Sequence, residues 1–289
     1  MSWFLLSLGS ALFQVLRNMV MKRLGHALDE TINVWGRFTF ILPFAAVGVW
    51  VEGVPPLDGG LWLYCLLFAV SQIVGTQCLS IALNVSDISL VTALWKLSVV
   101  MLLVWGVFWL GEVPSVWGVA GVLVSVAGVY LINVSRARVS LWAPLLALVR
   151  DPGQRYTLGA AIFYAPSVIF IRELAVRSNP AWAVFIGYAS CALLITPIAL
   201  WRSARNFRQI GRHWPSFVGL GAFAAISTQL GTTAYTLTVP AYVEAVKQLE
   251  ILFALAIGYW IFGERARVKA IWLGCVVMLA GIVLLVLGK

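Results

Sequence analysis

The chain has 289 residues, 62% of them hydrophobic and 11% charged, with a mean hydropathy of +0.95. Soluble domains carry roughly 25% charged and 45–50% apolar residues, so a water-soluble globular fold is excluded. The net charge of +9 could suggest nucleic acid, but the basic residues lie between apolar runs, where they orient a membrane protein.

A helix crosses a bilayer with about 20 apolar residues. Continuous apolar runs bounded by charges, Pro or Gly predict ten spans, over 2–21, 31–51, 61–83, 88–110, 115–133, 156–174, 181–201, 214–236, 240–262 and 268–287. Ten such helices use about 200 residues and leave about 90 for connections, too few for a sizeable extramembrane domain. The first run opens Met1-Ser2-Trp3, with no basic region and no cleavage pattern before it, and is expected to be a retained helix. The longest connection, 134–155, holds Arg136, Arg138, Arg150 and Arg155 around Leu141 to Val149. That apolar stretch is too short to span and predicts an interfacial segment. Cys65, Cys78, Cys191 and Cys275 all sit in apolar runs without CxxC spacing, so neither a disulfide framework nor a metal site is expected.

The sequence repeats itself. A shift of 152 residues lays Thr76-Gln77 on Thr228-Gln229, Trp62 on Trp214, Gly106 on Gly258 and Gly111-Glu112 on Gly263-Glu264. A shift of about 150 sets Leu8-Gly9-Ser10-Ala11 against Leu158-Gly159-Ala160-Ala161. The expected fold is therefore an all-α polytopic membrane protein with ten transmembrane helices, as two inverted five-helix repeats. The first repeat is 1–133, the linker with its interfacial segment is 134–155, and the second repeat is 156–289. Five is odd, so the second half enters the membrane from the opposite side. That is the architecture of many secondary transporters, with the binding site at the midplane between halves.

The loops after the first, fifth, seventh and ninth spans carry most of the basic residues: Lys22, Arg23, the arginines from Arg136 to Arg155 and from Arg202 to Arg212, Arg265, Arg267 and Lys269. The opposite set holds Arg172, Arg177 and Lys289, with acids at Glu52, Asp58 and Glu112. The positive-inside rule then places both termini outside the cytoplasm.

Two stretches, Thr92 through Leu110-Gly111-Glu112 and Val243 through Phe262-Gly263-Glu264, each precede one further apolar helix. This pattern resembles the EamA-type members of the drug/metabolite transporter superfamily, where a duplicated five-helix unit closes its fourth helix with Gly-Glu. The resemblance covers nearly the whole chain. It implies a ten-helix transporter without naming a substrate, and it implies cytoplasmic termini, opposite to the charge count. The physics of the Gly-Glu pairs favours a helix cap or loop anchor over substrate contact for Glu112 and Glu264.

Ionisable residues inside a span cost about 2.5–3.5 kcal/mol each on insertion scales, and each is a functional candidate. The predicted substrate-binding set is Lys96, Lys247, Glu244, Glu250, Arg17, Gln14, Gln77, Gln229, Trp95 and Tyr242. Glu244, Lys247 and Glu250 fall on one stripe of the ninth span, and Gln14, Arg17 and Asn18 on one stripe of the first. Lys96 is one residue off the repeat equivalent of Lys247. Arg37 lies near one end of its span and is expected to reach the interface. Trp95, Tyr164, Tyr235 and Tyr242 could line a cavity; Pro43, Pro166, Pro197 and Pro240 could break or kink helices.

Arg17, Arg37, Lys96 and Lys247 outnumber Glu244 and Glu250, which favours an anionic or zwitterionic solute. Some superfamily members that carry phosphates and sugar nucleotides look similar in using lysines on the fourth and ninth helices. A carboxylate in such a cavity can also take and release a proton, so Glu250 and Glu244 are the candidates for proton coupling.

The function read from these residues is secondary active transport of a small polar metabolite by alternating access, at a bacterial cell inner membrane. The alternative is a flippase for a lipid-linked sugar or phospholipid, whose site would open laterally to the bilayer. An enzyme is not expected, since only His26 and His213 are available and no HExxH, GxSxG or phosphate loop occurs. The expected partners are a small-molecule or lipid-linked substrate and membrane lipid, with no cofactor and no nucleic acid, in a monomer or homodimer.

Overall fold

The computed structural model describes residues 2–56, 59–95, 97–110, 115–132, 143–238 and 240–287. The described residues are helical throughout, without a strand, as a chain in hydrocarbon must be: a helix satisfies every backbone N–H and C=O within itself. In chain order the helices are α1 (Ser2–Gly25), α2 (Glu30–Phe40), α3 (Leu42–Glu52), α4 (Leu61–Val85), α5 (Ile88–Trp95), α6 (Leu97–Leu110), α7 (Val116–Ile132) and α8 (Ala143–Arg150). They continue with α9 (Pro152–Arg177), α10 (Pro180–Arg202), a 3-10 turn (Ala204–Gln209), α11 (Ile210–Leu237), α12 (Pro240–Lys247), α13 (Glu250–Trp260) and α14 (Arg265–Leu287). Helix thus covers the described part of each apolar run. The segments Ser2–Gly25, Glu30–Glu52, Leu61–Val85, Pro152–Arg177 and Pro180–Arg202 are each long and apolar enough to cross a membrane.

Local chemistry sets the helix ends. Asp29, Asp151 and Asn179 accept from the backbone N–H groups of Ile32, Gln154 and Trp182, capping α2, α9 and α10. The second run breaks at Ile41 because Pro43, in the first turn of α3, has no N–H to continue the α2 ladder. Gly263, at φ +70°, ends the α13 segment in the left-handed turn that suits a glycine. The Gly111-Glu112 pair and residues 134–142 of the linker lie outside the described residues; the rest of the linker forms α8 and the start of α9.

Helix pairing exchanges across the repeat. α1 lies along α11 and α4 lies along α9, so the first helix of each repeat packs on the third helix of the other; α7 packs on α14, its own counterpart. Small residues allow these approaches. Ser10 and Ser227 each donate a hydroxyl to the other's carbonyl, at 2.8 and 2.9 Å. At the matching place between α4 and α9, a Cβ on Gly75 would lie 3.5 Å from the Ala160 carbonyl oxygen. The exterior carries Trp50, Trp62, Trp201, Trp260, Leu63 and Leu193, all exposed, while charged side chains are buried within. This polarity is the reverse of a soluble domain and suits a lipid surround.

The α2–α11 contact is a close one. A Cβ on Gly221 would collide with the Phe40 carbonyl, whereas one on Gly219, two residues earlier, meets nothing within 4 Å. Gly221→Ala is expected to destabilise the detergent-solubilised protein by about 1–3 kcal/mol through overpacking. Gly219→Ala should be neutral or up to about 1 kcal/mol stabilising through helix propensity. Thermal unfolding of the two variants side by side checks this.

Candidate functional site

A cavity of about 30 Å³ lies between α1, α2, α4, α9, α10, α11 and α12. It has room for about two water molecules. Its walls carry Ser10, Gln14 and Arg17 from α1, Arg37 from α2, Phe68 and Gln72 from α4, and Tyr164 and Ser167 from α9. Tyr188 of α10, Ser227, Thr228, Thr232 and Tyr235 of α11, and Lys247 of α12 complete the polar wall. Both repeats therefore contribute to one polar space.

Among the described residues three cations reach it, and their surroundings differ. Lys247, 3% exposed, is ion-paired with Glu244 at 2.7 Å and donates to the Tyr235 hydroxyl at 3.1 Å. Tyr235 in turn donates to Glu244. Arg17, 2% exposed, donates to Asn18 Oδ1 at 2.9 and 3.2 Å and stands 5.8 Å from the Trp95 ring centre. Asn18 and Gln14 donate to the two oxygens of Glu250, at 3.4 and 2.6 Å, so Glu250 balances Arg17 through an amide bridge. Arg37, 1% exposed, donates to Thr76 Oγ1 at 3.0 Å; its Nε has no hydrogen-bond partner, and no ion pair to it exists among the described residues. A guanidinium buried without a carboxylate is strongly unfavourable unless something supplies the missing charge.

The uncharged wall is a connected rail. Ser167 donates to Gln72 Oε1 at 3.1 Å, Gln72 donates to the Tyr188 hydroxyl at 3.0 Å, and Tyr188 meets Thr228 Oγ1 at 3.4 Å. Pro166 sits inside α9 between Tyr164 and Ser167, and Ser167 donates to the Tyr164 carbonyl at 2.7 Å.

Between Lys247 and Glu250 the ninth run is discontinuous. The Leu249, Ile251 and Leu252 N–H groups bond to the carbonyls of Val246, Gln248 and Leu249, each three residues back and each at 3.0 Å. This tightening turns Glu250 toward α1 while Glu244 and Lys247 face α11, so the single stripe expected from regular helical spacing is divided in two. Short 3-10 stretches inside a helix commonly mark functional hinges, and interrupted helices line transporter sites.

The cavity thus gathers Arg17, Gln14 and Lys247 of the predicted set, with Glu244 and Glu250 bonded behind them. Trp95 is buried against Tyr164, ring centres 5.0 Å apart, one layer out. Lys96 and the Tyr242 side chain lie outside the described residues. Gln77 and Gln229 are not brought to this cavity. Gln229 donates to Glu52 at 3.1 Å and lines an apolar groove with Phe44 and Val47 on the other face of α11. In each Thr-Gln repeat it is the threonine that turns inward: Thr228 lines the cavity and Thr76 holds Arg37. Arg37 does not reach the interface as its position suggested. α2 crosses the bundle interior, and the guanidinium lies over the Phe38 ring at 5.6 Å. Gln72, Ser167 and Tyr188 were missed in the sequence, where lone polar residues in apolar runs carry no pattern.

The groove beside Gln229 shares no lining residue with the cavity. Glu264 lies at the α5 end of the bundle, accepting from the Ile88 and Ser89 N–H groups at 3.0 and 3.2 Å, and is a helix cap rather than a cavity group.

An apolar exterior, a polar cavity shared by two exchanged repeats and an interrupted helix beside it define a class, the helical membrane transporters built from an internal duplication. The EamA-like transporter family matches residues 1–134 and 152–287, and the chain belongs to that family. It is an integral membrane protein and a transporter of small molecules. A solved crystal structure resembles 96% of this chain over 94% of its own length, with a TM-score of 0.61 at 16% identity, a likeness of fold alone. No curated protein sequence matches.

The Glu244–Lys247 pair makes a direct test of the cavity wall. Glu244→Gln leaves Lys247 buried without its carboxylate and is expected to lower stability by about 3–5 kcal/mol. Adding Lys247→Met should restore about half of that loss, because the stranded charge is gone. A double-mutant cycle by thermal unfolding, without substrate, measures both.

Proposed function

We propose that the chain is a secondary active transporter that moves a small anionic or zwitterionic metabolite by alternating access. Ten spans form two five-helix repeats of inverted topology, 1–133 and 156–289, joined by the linker 134–155. The substrate sits in the cavity between them. The single observation that carries this reading is Arg37, a fully buried guanidinium whose charge nothing in its described surroundings balances. Lys247 has Glu244 and Arg17 has Glu250, so the paired groups shape the cavity while Arg37 waits for a carboxylate or phosphate from outside the protein. Lys96, in the span equivalent to that of Lys247, is a further candidate contact. The Ser167–Gln72–Tyr188–Thr228 rail offers hydroxyl and amide groups to the rest of a polar solute. At about 30 Å³ the cavity is too small for a metabolite, so binding requires its walls to part.

Glu250 and Glu244 are the candidates for proton coupling. Glu250 accepts from Gln14 and Asn18, and it stands next to the point where α12 and α13 separate. Glu244 is held by Lys247 and Tyr235. The basic loops place the Lys22, Arg155, Arg205 and Arg265 end of the bundle in the cytoplasm of a bacterial cell, with the inner membrane as the site of action. The flippase reading draws no support from the groove beside Gln229, which is separated from the cavity by α11.

The test is ligand stabilisation followed by transport in proteoliposomes. Anionic metabolites should raise the melting temperature by mass action. Arg37→Gln should weaken that binding by about 2 kcal/mol or more, at least about thirtyfold, and Arg37→Lys should keep part of it. Stabilisation by cations alone, unchanged in Arg37→Gln, overturns the reading. Glu250→Gln is expected to leave exchange intact while removing acceleration by an imposed pH gradient; equal acceleration in wild type and variant removes Glu250 from the coupling step.

A further inference from the structure

The connection between α10 and α11 concentrates charge that neither the fold nor the cavity uses. Between Trp201 and Trp214 stand Arg202, Arg205, Arg208 and Arg212, with no acidic residue among them. All four arginines are exposed. Their side chains make no ion pair among the described residues. The repeat equivalent, 50–62, keeps a tryptophan at each end, Trp50 and Trp62, but holds Glu52 and Asp58 and no basic residue. A connection of this length and place therefore does not need arginine to fold.

Local structure arranges the charge. Residues Ala204–Gln209 form a 3-10 turn, in which side chains three apart lie one above the other and define three edges. Phe207 turns one edge inward, its ring centre 4.8 Å from that of Trp35 in α2. Asn206 and Gln209 make the second edge, joined at 3.4 Å, and Asn206 also donates to Asp29. Arg205 and Arg208 are left on the third edge, which faces out. Asp29 accepts further from the Ser203 hydroxyl at 3.0 Å and from the Ile32 N–H at 2.9 Å. The nearby carboxylate is thus engaged in holding the turn to α2, and the arginines stay unneutralised. Held along two edges, the turn presents its guanidinium pair at a fixed place.

Trp201 and Trp214, 82% and 58% exposed, mark the depth of the site. On an apolar exterior, exposed indoles lie at the level of the lipid headgroups. The guanidinium fork matches two oxygens of a phosphate, and clustered basic residues beside a span attract anionic lipid.

We propose that this turn is a binding site for an anionic phospholipid. Arg205 and Arg208 hold the phosphate, Arg202 and Arg212 flank it, and Trp201 and Trp214 pack against the glycerol and the start of the acyl chains. The occupant is a lipid rather than a soluble phosphate because the indoles offer apolar contact on both sides of the charge. The site shares no residue with the cavity, so it stands whatever the charge of the transported solute.

The test titrates the detergent-solubilised full chain with phosphatidylglycerol or phosphatidylcholine of the same acyl length and reads the melting temperature. Phosphatidylglycerol should stabilise at the lower concentration. Arg205→Gln/Arg208→Gln should weaken its binding by about thirtyfold, since each arginine near an anionic headgroup contributes about fivefold. Arg265→Gln/Lys269→Gln removes the same charge from exposed positions at the start of α14 and should leave the titration unchanged. If the first variant does not fold, Arg202→Gln/Arg212→Gln makes the same comparison. Equal weakening by the turn variant and the α14 variant overturns the inference, because it reports net charge alone. Equal stabilisation by the two lipids overturns it as well. So does inorganic phosphate that reproduces the phosphatidylglycerol shift and loses it in Arg205→Gln/Arg208→Gln, because the ligand is then a free anion.

Discussion

Hydrocarbon cannot solvate charge, and the rest of the structure depends on that. With lipid on the outside, ionisable side chains within the spans turn inward, pair with one another, or reach the ends. The inward-facing groups then need helices close enough to share partners, yet with space left for a solute. α1 on α11 and α4 on α9 meet this requirement through small residues: Ser10 against Ser227, and Gly75 against Ala160. These contacts set the spacing of the two polar walls, and Arg17, Gln72 and Thr228 lie within a few residues of them. The packing motif and the cavity are therefore parts of one arrangement.

Within the cavity, pairing divides the charged residues by task. Glu244, Lys247 and Tyr235 bond to one another in a triangle and suit a wall. Glu250 is joined to Arg17 through the Asn18 amide and also accepts from Gln14. Arg37 is the extreme, held in place by one threonine. The interruption at Gln248–Leu249 is what permits this division, since an uninterrupted helix would keep Glu244, Lys247 and Glu250 on one face.

The membrane class, the helical segments and the duplication were legible in the sequence because each rests on a signal that repeats: long apolar runs, and pairs such as Gly-Glu and Thr-Gln at one shift. Arg17, Gln14 and Lys247 were legible because a charge or amide deep in an apolar run stands out. Arg37 was found but misplaced, because its position near the span end was read as closeness to water; the fold instead puts the last turn of α2 inside the bundle, with Arg37 on Thr76 of α4. Gln77 and Gln229 were chosen over Thr76 and Thr228 because the amide is the more conspicuous polar group. Which member of an adjacent pair faces inward is decided by helix rotation, and that rotation is set by packing against α9 and α1. The tightening at Leu249 leaves no mark in composition, and regular helical spacing hid it.

The repeats have also diverged at the two ends of the bundle. Ile88 and Ser89 offer Glu264 two backbone N–H groups and a hydroxyl, whereas the equivalent positions are Pro240 and Ala241. Pro240 has no N–H to give, and Ala241 has no hydroxyl. Gly25 admits close contact with Asn84, whereas its equivalent, Ala175, carries the Cβ that such contact forbids. The Glu264 end can therefore make at least two hydrogen bonds to a carboxylate that its repeat equivalent cannot, each worth about 1.5–3 kcal/mol. Divergence at three positions thus makes the two ends of a duplicated chain unequal in strength, although the helices that carry them descend from one repeated pattern.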